Sequence, residues 1–302
     1  MQRDLNKNSN PFFYMAKALQ GIKILDFSRL LPGPFCSYLL AQMGAEVTVL
    51  QAPLDQEVLT FPALRKGKKY LQVDLKTDKG LKLAQKLLKQ ADVVVEGFRP
   101  GVMKRLKLDF KEAKKLHKGI IYASISGYGQ KGGDRAGHDL NYLAESGVLS
   151  ALSSLGRPFI PGIPLADLMG AYGAACQILA QLAVPQKKRK ATYLDISMTE
   201  AVAQLLTPLD SQVQKAIQPV FQGKLARYAL YECADQQYLA VAPLEDKFWL
   251  KLSTQMEVPK ELTEKGEEAV KEWLNLEFKK QKLQHWLYKL DDPDLCVSAV
   301  KK

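Results

Sequence analysis

Apolar positions in the first two-thirds of the chain come in short runs separated by helical patterns. The runs "IKILDFS" (22–28), "EVTVL" (46–50), "KYLQVDL" (69–75), "ADVVVEGF" (91–98), "GIIYASISG" (119–127) and "ATYLDISM" (191–198) read as strands bounded by turn residues. Between them the apolar spacing changes to that of helices. Pro34 suits a first helical turn, and "FCSYLLAQMG" continues it until Gly44 closes it. Thr77 opens "TDKGLKLAQKLLKQ", with Leu81, Leu83, Leu87 and Leu88 on a helical face. From Pro164, "PLADLMGAYGAACQILAQLAV" predicts a buried helix whose small residues, Gly170, Ala171, Gly173, Ala174 and Ala175, permit close approach. The stretch "TEAVAQLLTPLDSQVQKAI" predicts a helix that Pro208 kinks or ends. Strands alternating with helices predict a parallel sheet covered on both faces.

The pattern then changes. "YALYECADQQYLAVAPL" (228–244) reads as two short strands around a turn, and "EDKFWLKLSTQM" and "EEAVKEWLNLEFKKQKLQHWLYKL" read as amphipathic helices. The expected organisation is a polar tail over 1–19, a large Rossmann-like α/β domain over 20–204, a linker helix region over 205–226, and a smaller α+β domain over 227–302.

Composition narrows the function classes. The apolar fraction is 47% and the charged fraction 25%, ordinary values for a water-soluble globular chain. No apolar run reaches membrane-spanning length, and the start lacks the apolar core of a secretory signal. Cys36, Cys176, Cys233 and Cys296 form no CxxC pair, so a reduced cytoplasmic protein without structural metal is expected. Net charge is +11, with basic runs "RKGKK" at 65–69, "KEAKKLHK" at 111–118 and "PQKKRK" at 185–190. A phosphate-rich small molecule would account for part of that charge. No nucleic-acid-binding motif accompanies the runs, so neither nucleic acid nor membrane is an expected partner. The loop after 22–28 is "RLLPGPF" rather than GxGxxG, "GYGQKGG" lacks the GK[ST] ending of a P-loop, and GxSxG is absent.

The chain has three histidines. His117 and His285 read as surface or packing residues. His138 lies in "RAGHDLNYLAESG", between a glycine and an aspartate. Asp167 opens the long helix from Pro164, where a plain N-cap would by itself explain an aspartate.

Several segments, in order, resemble the class III CoA-transferase superfamily: "LDFSRLLPGPFCSYLLAQMGAEV", "RKGKKYLQVDLK", "VVVEGFRPGVMKRL", "SGYGQKG", "AGHDLNYLAESGVLS", "PLADLMG" and "YECADQQYLAVAPLEDKFW". The triplet Gly137-His138-Asp139 followed by "LNYLA" resembles the alpha-methylacyl-CoA racemase branch. The resemblance implies epimerisation of 2-methyl-branched acyl-CoA thioesters by 1,1-proton transfer, with His138 and Asp167 as the acid/base pair and Glu245 assisting His138. Two carriers flanking one carbon suit that reaction. Histidine needs no tuning for it, whereas a carboxyl must be raised by burial. Free N–H groups at the start of the Asp167 helix are expected to stabilise the enolate oxygen. CoA binding is implied for Lys66, Gly67, Lys68 and Lys69, for Arg99 and Arg105, and for Gly137, Asp139 and Tyr142, Asp139 also being a candidate cap of the short helix "LNYLAES". No cofactor or metal is expected, the CoA thioester being the substrate, and the implied assembly is a homodimer of interlocked type. A CoA-transferase with Asp167 as nucleophile is the alternative, and a non-catalytic CoA-ester binder the second. Three features depart from the family pattern. Gln51 and Ala52 replace a phosphate-binding residue, Leu168 and Met169 add bulk, and the chain ends at "CVSAVKK", where a segment returning to the large domain is expected to be missing.

Overall fold

The computed structural model describes residues 17–53, 61–152, 157–209 and 211–301. The tail expected over 1–19 falls outside them as far as Ala16. The chain divides into two compact units, one of residues 1–150 and 159–205, the other of residues 151–158 and 206–302.

The first unit is a six-stranded parallel sheet. In chain order its elements are β1 (Lys23–Asp26), α1 (Pro32–Gln42), β2 (Glu46–Gln51), β3 (Lys68–Gln72), α2 (Asp78–Gln90), β4 (Val93–Glu96), α3 (Val102–Arg105), α4 (Phe110–Leu116), β5 (Ile121–Ser126), α5 (Asp139–Glu145), α6 (Val148–Ala151), α7 (Leu165–Leu182), β6 (Thr192–Ser197) and α8 (Met198–Ala203). The strand order is β3-β2-β1-β4-β5-β6, and every pairing is parallel. This is the doubly wound order, which reverses between β1 and β4 and opens a crevice there beyond the strands' carboxyl ends. The α/β expectation therefore holds, and each strand predicted for this unit is present with its ends shifted by at most three residues.

One face of the sheet buries Leu25, Val94 and Tyr122 against Ala84 and Leu88 of α2 and Ala113 of α4. The small residues of α7 serve the close packing that the sequence predicted. Ala171, Ala174 and Ala175 are buried, and α7 packs against α1, α5 and α8. A Cβ at Gly170 would come within 2.6 Å of Met198 Cγ, so α7 and α8 meet at a distance that only glycine permits. The short α3 and α4 are absent from the sequence reading. Their run of lysines hides the apolar contacts made by Met103, Leu108 and Ala113.

The helix expected from Thr199 is two helices. α8 ends at Ala203, a single 3₁₀ turn follows over Gln204–Leu206, and a new helix, α9 (Ser211–Phe221), begins beyond Pro208. The proline ring cannot continue the hydrogen-bond ladder.

The second unit holds β7 (Ala229–Glu232), β8 (Tyr238–Val241), α10 (Asp246–Gln255), α11 (Lys260–Lys265), α12 (Glu267–Phe278), α13 (Leu283–Lys289) and β9 (Val297–Ala299). β8 is central in an antiparallel three-stranded sheet. The third strand, drawn from "CVSAVKK", was not expected, since three residues carry too little periodicity to read. The core is aromatic. Tyr231 and Trp286 flank Phe278 at ring separations of 5.0 and 5.1 Å, and Trp286 Nε1 donates to the Phe278 carbonyl at 2.9 Å.

Candidate active site

A cavity of about 300 Å³ opens in the first unit where β1, β4 and β5 end. Its wall includes Arg29, Leu30, Gly97, Phe98, Arg99, Gly127 and Tyr128 from the loops after those strands. His138, Tyr142 and Asp167 line the same space. The site thus sits at the switch point of the sheet, where the strand order leaves room for a ligand.

His138 is the N-cap residue of α5, and its extended backbone (φ −131°, ψ 174°) turns the chain into the helix. Its backbone N–H donates to Asn141 Oδ1 at 3.0 Å, which fixes the turn while the imidazole stays exposed on the cavity wall. Tyr142, one turn on, donates from its hydroxyl to the Gly137 carbonyl at 2.6 Å and meets the Tyr128 ring edge-on at 5.1 Å. Burial, followed by the Asp167 carboxylate, pushes the Tyr142 hydroxyl up to about 12. Glycines make room for this ring. A Cβ on Gly137 would lie 2.8 Å from both Tyr128 Oη and Tyr142 Cε1, and one on Gly127 would overlap the Tyr142 ring outright. Within "GYGQKGG", Gly127 thus makes room for the Tyr142 ring, while Gly129 and Gly133 take left-handed φ values of +74° and +76°.

Asp167 occupies the third position of α7, and the cap residue of that helix is Pro164, which has no side-chain acceptor. The cap comes from another segment. Asp139 Oδ1 accepts from the N–H groups of Ala166 at 2.7 Å and Asp167 at 3.0 Å. This corrects two expectations. Asp167 does not cap its own helix, and the α7 N–H groups expected to meet an enolate oxygen are committed to Asp139. Relieved of capping, the Asp167 carboxyl makes no hydrogen bond among the described residues. Burial, and then repulsion from Asp139, raises it to about 6.

The residues expected to bind CoA phosphates do not form one group. Lys68 turns inward. Its Nζ donates to the Pro34 carbonyl at 2.7 Å and to Ser37 Oγ at 2.8 Å, and Ser37 in turn donates to the fully buried Asp26. Burial lowers the Lys68 ammonium, with Asp26 opposing the shift. Lys68, Asp26 and Gln51 line a small separate cavity of about 40 Å³. Lys66 and Lys69 are exposed, and Gly67 between them takes the left-handed φ of +79° that the turn into β3 requires. Arg99 reaches the large cavity and pairs with Asp134 at 3.4 Å, both side chains being well exposed. Arg105 is exposed and lines neither space. Glu245 belongs to the second unit, where it is the exposed N-cap residue of α10.

Sequence reasoning missed Arg135. Its guanidinium lies 4.1 Å from the Tyr128 ring centroid and bonds both Glu145 oxygens, at 2.6 and 3.1 Å. The signal was available, because Arg135 and Glu145 flank the very motif that holds His138. Among the described residues no cluster of side chains is suited to a metal, and no helix is long and apolar enough to cross a membrane.

The family description that fits this chain is CoA-transferase family III, whose model matches residues 19–302. The chain belongs to that family. Members with two activities resemble it. Alpha-methylacyl-CoA racemase from Homo sapiens is 33% identical over 300 residues, spanning 94% of this chain and 78% of that protein. Succinyl-CoA:glutarate CoA-transferase from Homo sapiens is 33% identical over 201 residues, spanning 60% of this chain and 45% of that protein. The solved structure of Rv3272 from M. tuberculosis matches with a TM-score of 0.79 at 26% identity, over 95% of this chain and 83% of that one. A CAIB/BAIF family protein from Brucella suis, at 23% identity over 94% of this chain and 84% of that one, shares the fold with a TM-score of 0.79.

Proposed function

We propose that this family III chain epimerises 2-methyl-branched acyl-CoA thioesters. Base removes the α-proton, the C–H electron pair passes into an enolate, and the second carrier returns a proton to the opposite face. His138 and Asp167 are the two carriers. The observation that carries this reading is that an imidazole and an unbonded carboxyl raised to about 6 line one cavity at the switch point. A carboxyl near 6 can hold or give a proton close to neutrality, which an ordinary aspartate cannot. The racemase from Homo sapiens, 33% identical across 94% of this chain, supports the assignment. Arg99, exposed Lys66 and Lys69, and Arg105 would meet the CoA phosphates, with Glu245 assisting His138. Lys68 would act indirectly, by holding the loop at Pro34. No cofactor takes part in this scheme, and the working form is taken to be a cytoplasmic homodimer.

The test is incubation with a 2-methylacyl-CoA in deuterated water. Solvent deuterium should enter at the α-carbon, and His138→Ala should slow its entry by at least about 100-fold. The CoA-transferase reading rests on the same free Asp167 carboxylate, which would attack the thioester carbonyl and expel CoA thiolate to leave a mixed anhydride. An enzyme-bound CoA thioester trapped by hydroxylamine or borohydride, with no deuterium uptake, would replace the racemase by the transferase. CoA binding with neither reaction would leave a non-catalytic binder.

A further inference from the structure

The outer surface of the α2/α4 layer is lysine with almost no carboxylate. α2 and α4 pack side by side on one face of the sheet and turn Ala84, Leu88 and Ala113 inward. Outward, α2 exposes Lys79, Lys82, Lys86 and Lys89. α4 and the residues after it expose Lys111, Lys114, Lys115 and Lys118. The only carboxylates on the two helices are Asp78 and Glu112, and Glu112 is bonded to Lys115 at 2.7 Å. The other seven lysines have no ion pair among the described residues. Of the nearby acids, exposed Asp74 precedes α2 and half-buried Asp109 is engaged as the N-cap of α4, accepting from the Glu112 N–H at 3.3 Å. Glu96 is buried and raised to about 7, and Asp92 is turned inward, 3.9 Å from the buried Arg189. Two leucines stand among these lysines, Leu83 and Leu116, each 39% exposed.

We propose that this face docks on an anionic lipid bilayer. Three features select that partner. The charge is entirely lysine, which acts as a point charge toward a diffuse field rather than as a bidentate reader of phosphate. Each lysine near an anionic leaflet contributes about 1 kcal/mol, so several acting together suffice for reversible binding. The exposed leucines gain from the acyl boundary of a bilayer, whereas a nucleic acid offers them nothing. The two helices carry no exposed aromatic for stacking on bases. A long-chain acyl-CoA partitions into lipid, so docking would place the protein beside its substrate. That consequence rests on the function proposed above, whereas the binding does not.

The experiment is co-sedimentation of the full chain with vesicles of phosphatidylcholine mixed with phosphatidylserine, and with phosphatidylcholine alone. Binding to the mixed vesicles only, weakening as salt rises, is expected. The combined variant Lys82→Glu, Lys86→Glu, Lys111→Glu, Lys114→Glu should bind at least about 10-fold more weakly. Leu83→Ser with Leu116→Ser should weaken binding at constant charge. Circular dichroism would confirm that the variants fold, since every altered side chain is exposed. Absence of binding, equal binding to neutral vesicles, or undiminished binding by the charge-reversed variant would overturn the proposal, as would displacement from the sedimented vesicles by duplex DNA or RNA at lower phosphate concentration than by added small phosphatidylserine vesicles. Deuterium exchange on a short-chain, water-soluble 2-methylacyl-CoA should be the same in the charge-reversed variant, which separates failure of docking from failure of the catalytic reading.

Discussion

Burial and the neighbouring Asp139 raise the Asp167 carboxyl from 3.8 to about 6, so between those values the folded chain holds a proton that the unfolded chain releases. A raised acid pKa adds stability that is present at low pH and lost as pH rises through about 6. Asp167→Asn removes the buried charge. It should therefore stabilise the protein above that pH by on the order of 2 kcal/mol and have little effect below pH ~4. Urea titrations at both ends of the range check this, and an equal effect at both would mean that the carboxyl is not buried as described. The same group enters the proposed reaction. If Asp167 is the base in one direction, exchange in that direction should rise as pH passes through about 6. A second residue-scale prediction concerns Gly127. A methyl group there overlaps the Tyr142 ring, so Gly127→Ala should cost about 1–3 kcal/mol, and Tyr142→Ala should recover part of that loss in the double variant. Of the candidate site residues, His138 stood out in the sequence through a short motif that drew its meaning from the family resemblance. The role of Asp139 was illegible because its partner N–H groups lie 27 and 28 positions away.

At the scale of elements, α7 borrows its cap. Pro164 offers no acceptor, and Asp139 at the first turn of α5 supplies one, so the two helices whose starts bear His138 and Asp167 are held together there. Asp139→Ala should destabilise the protein by about 1–2 kcal/mol through loss of the cap. Asp139→Asn keeps an acceptor oxygen but not the charge. It should hold the fold and shift the Asp167-dependent rise in exchange to lower pH, because the second cause of the raised carboxyl is gone. A stability loss without any pH shift in the Asn variant would show that Asp139 acts only as a cap. α2 was readable from its apolar period, the strands and α7 as apolar runs, and α1 from the proline and glycine that bound it. The break between α8 and α9 was readable only in part. Pro208 announced a kink or an end, but not that α8 already stops at Ala203.

At the scale of the molecule, the two units have separate cores and unequal chemistry. The cavity lined by His138 and Asp167 lies in the first, while all three tryptophans, Trp249, Trp273 and Trp286, lie in the second. Tryptophan fluorescence therefore reports the second unit. Trp286→Ala, which empties the centre of its aromatic core, should destabilise the fluorescence-detected transition by about 3–5 kcal/mol. The loss of ellipticity from the first unit should remain at its own denaturant midpoint. A single shared transition for both signals would mean that the units unfold together.

What the sequence determined by itself was local or periodic: the alternation of strands and helices, hence the parallel sheet, and the motif that marks His138. Hydrophobic burial and backbone geometry act over a few residues and leave a readable period. What only the tertiary structure decided was pairing between distant segments: the Asp139 cap on α7, the inward turn of Lys68, and the gathering of separate lysine runs on one face. A lysine reads the same whether it points at a phosphate, a serine or water, and only the neighbours that folding brings to it select among them.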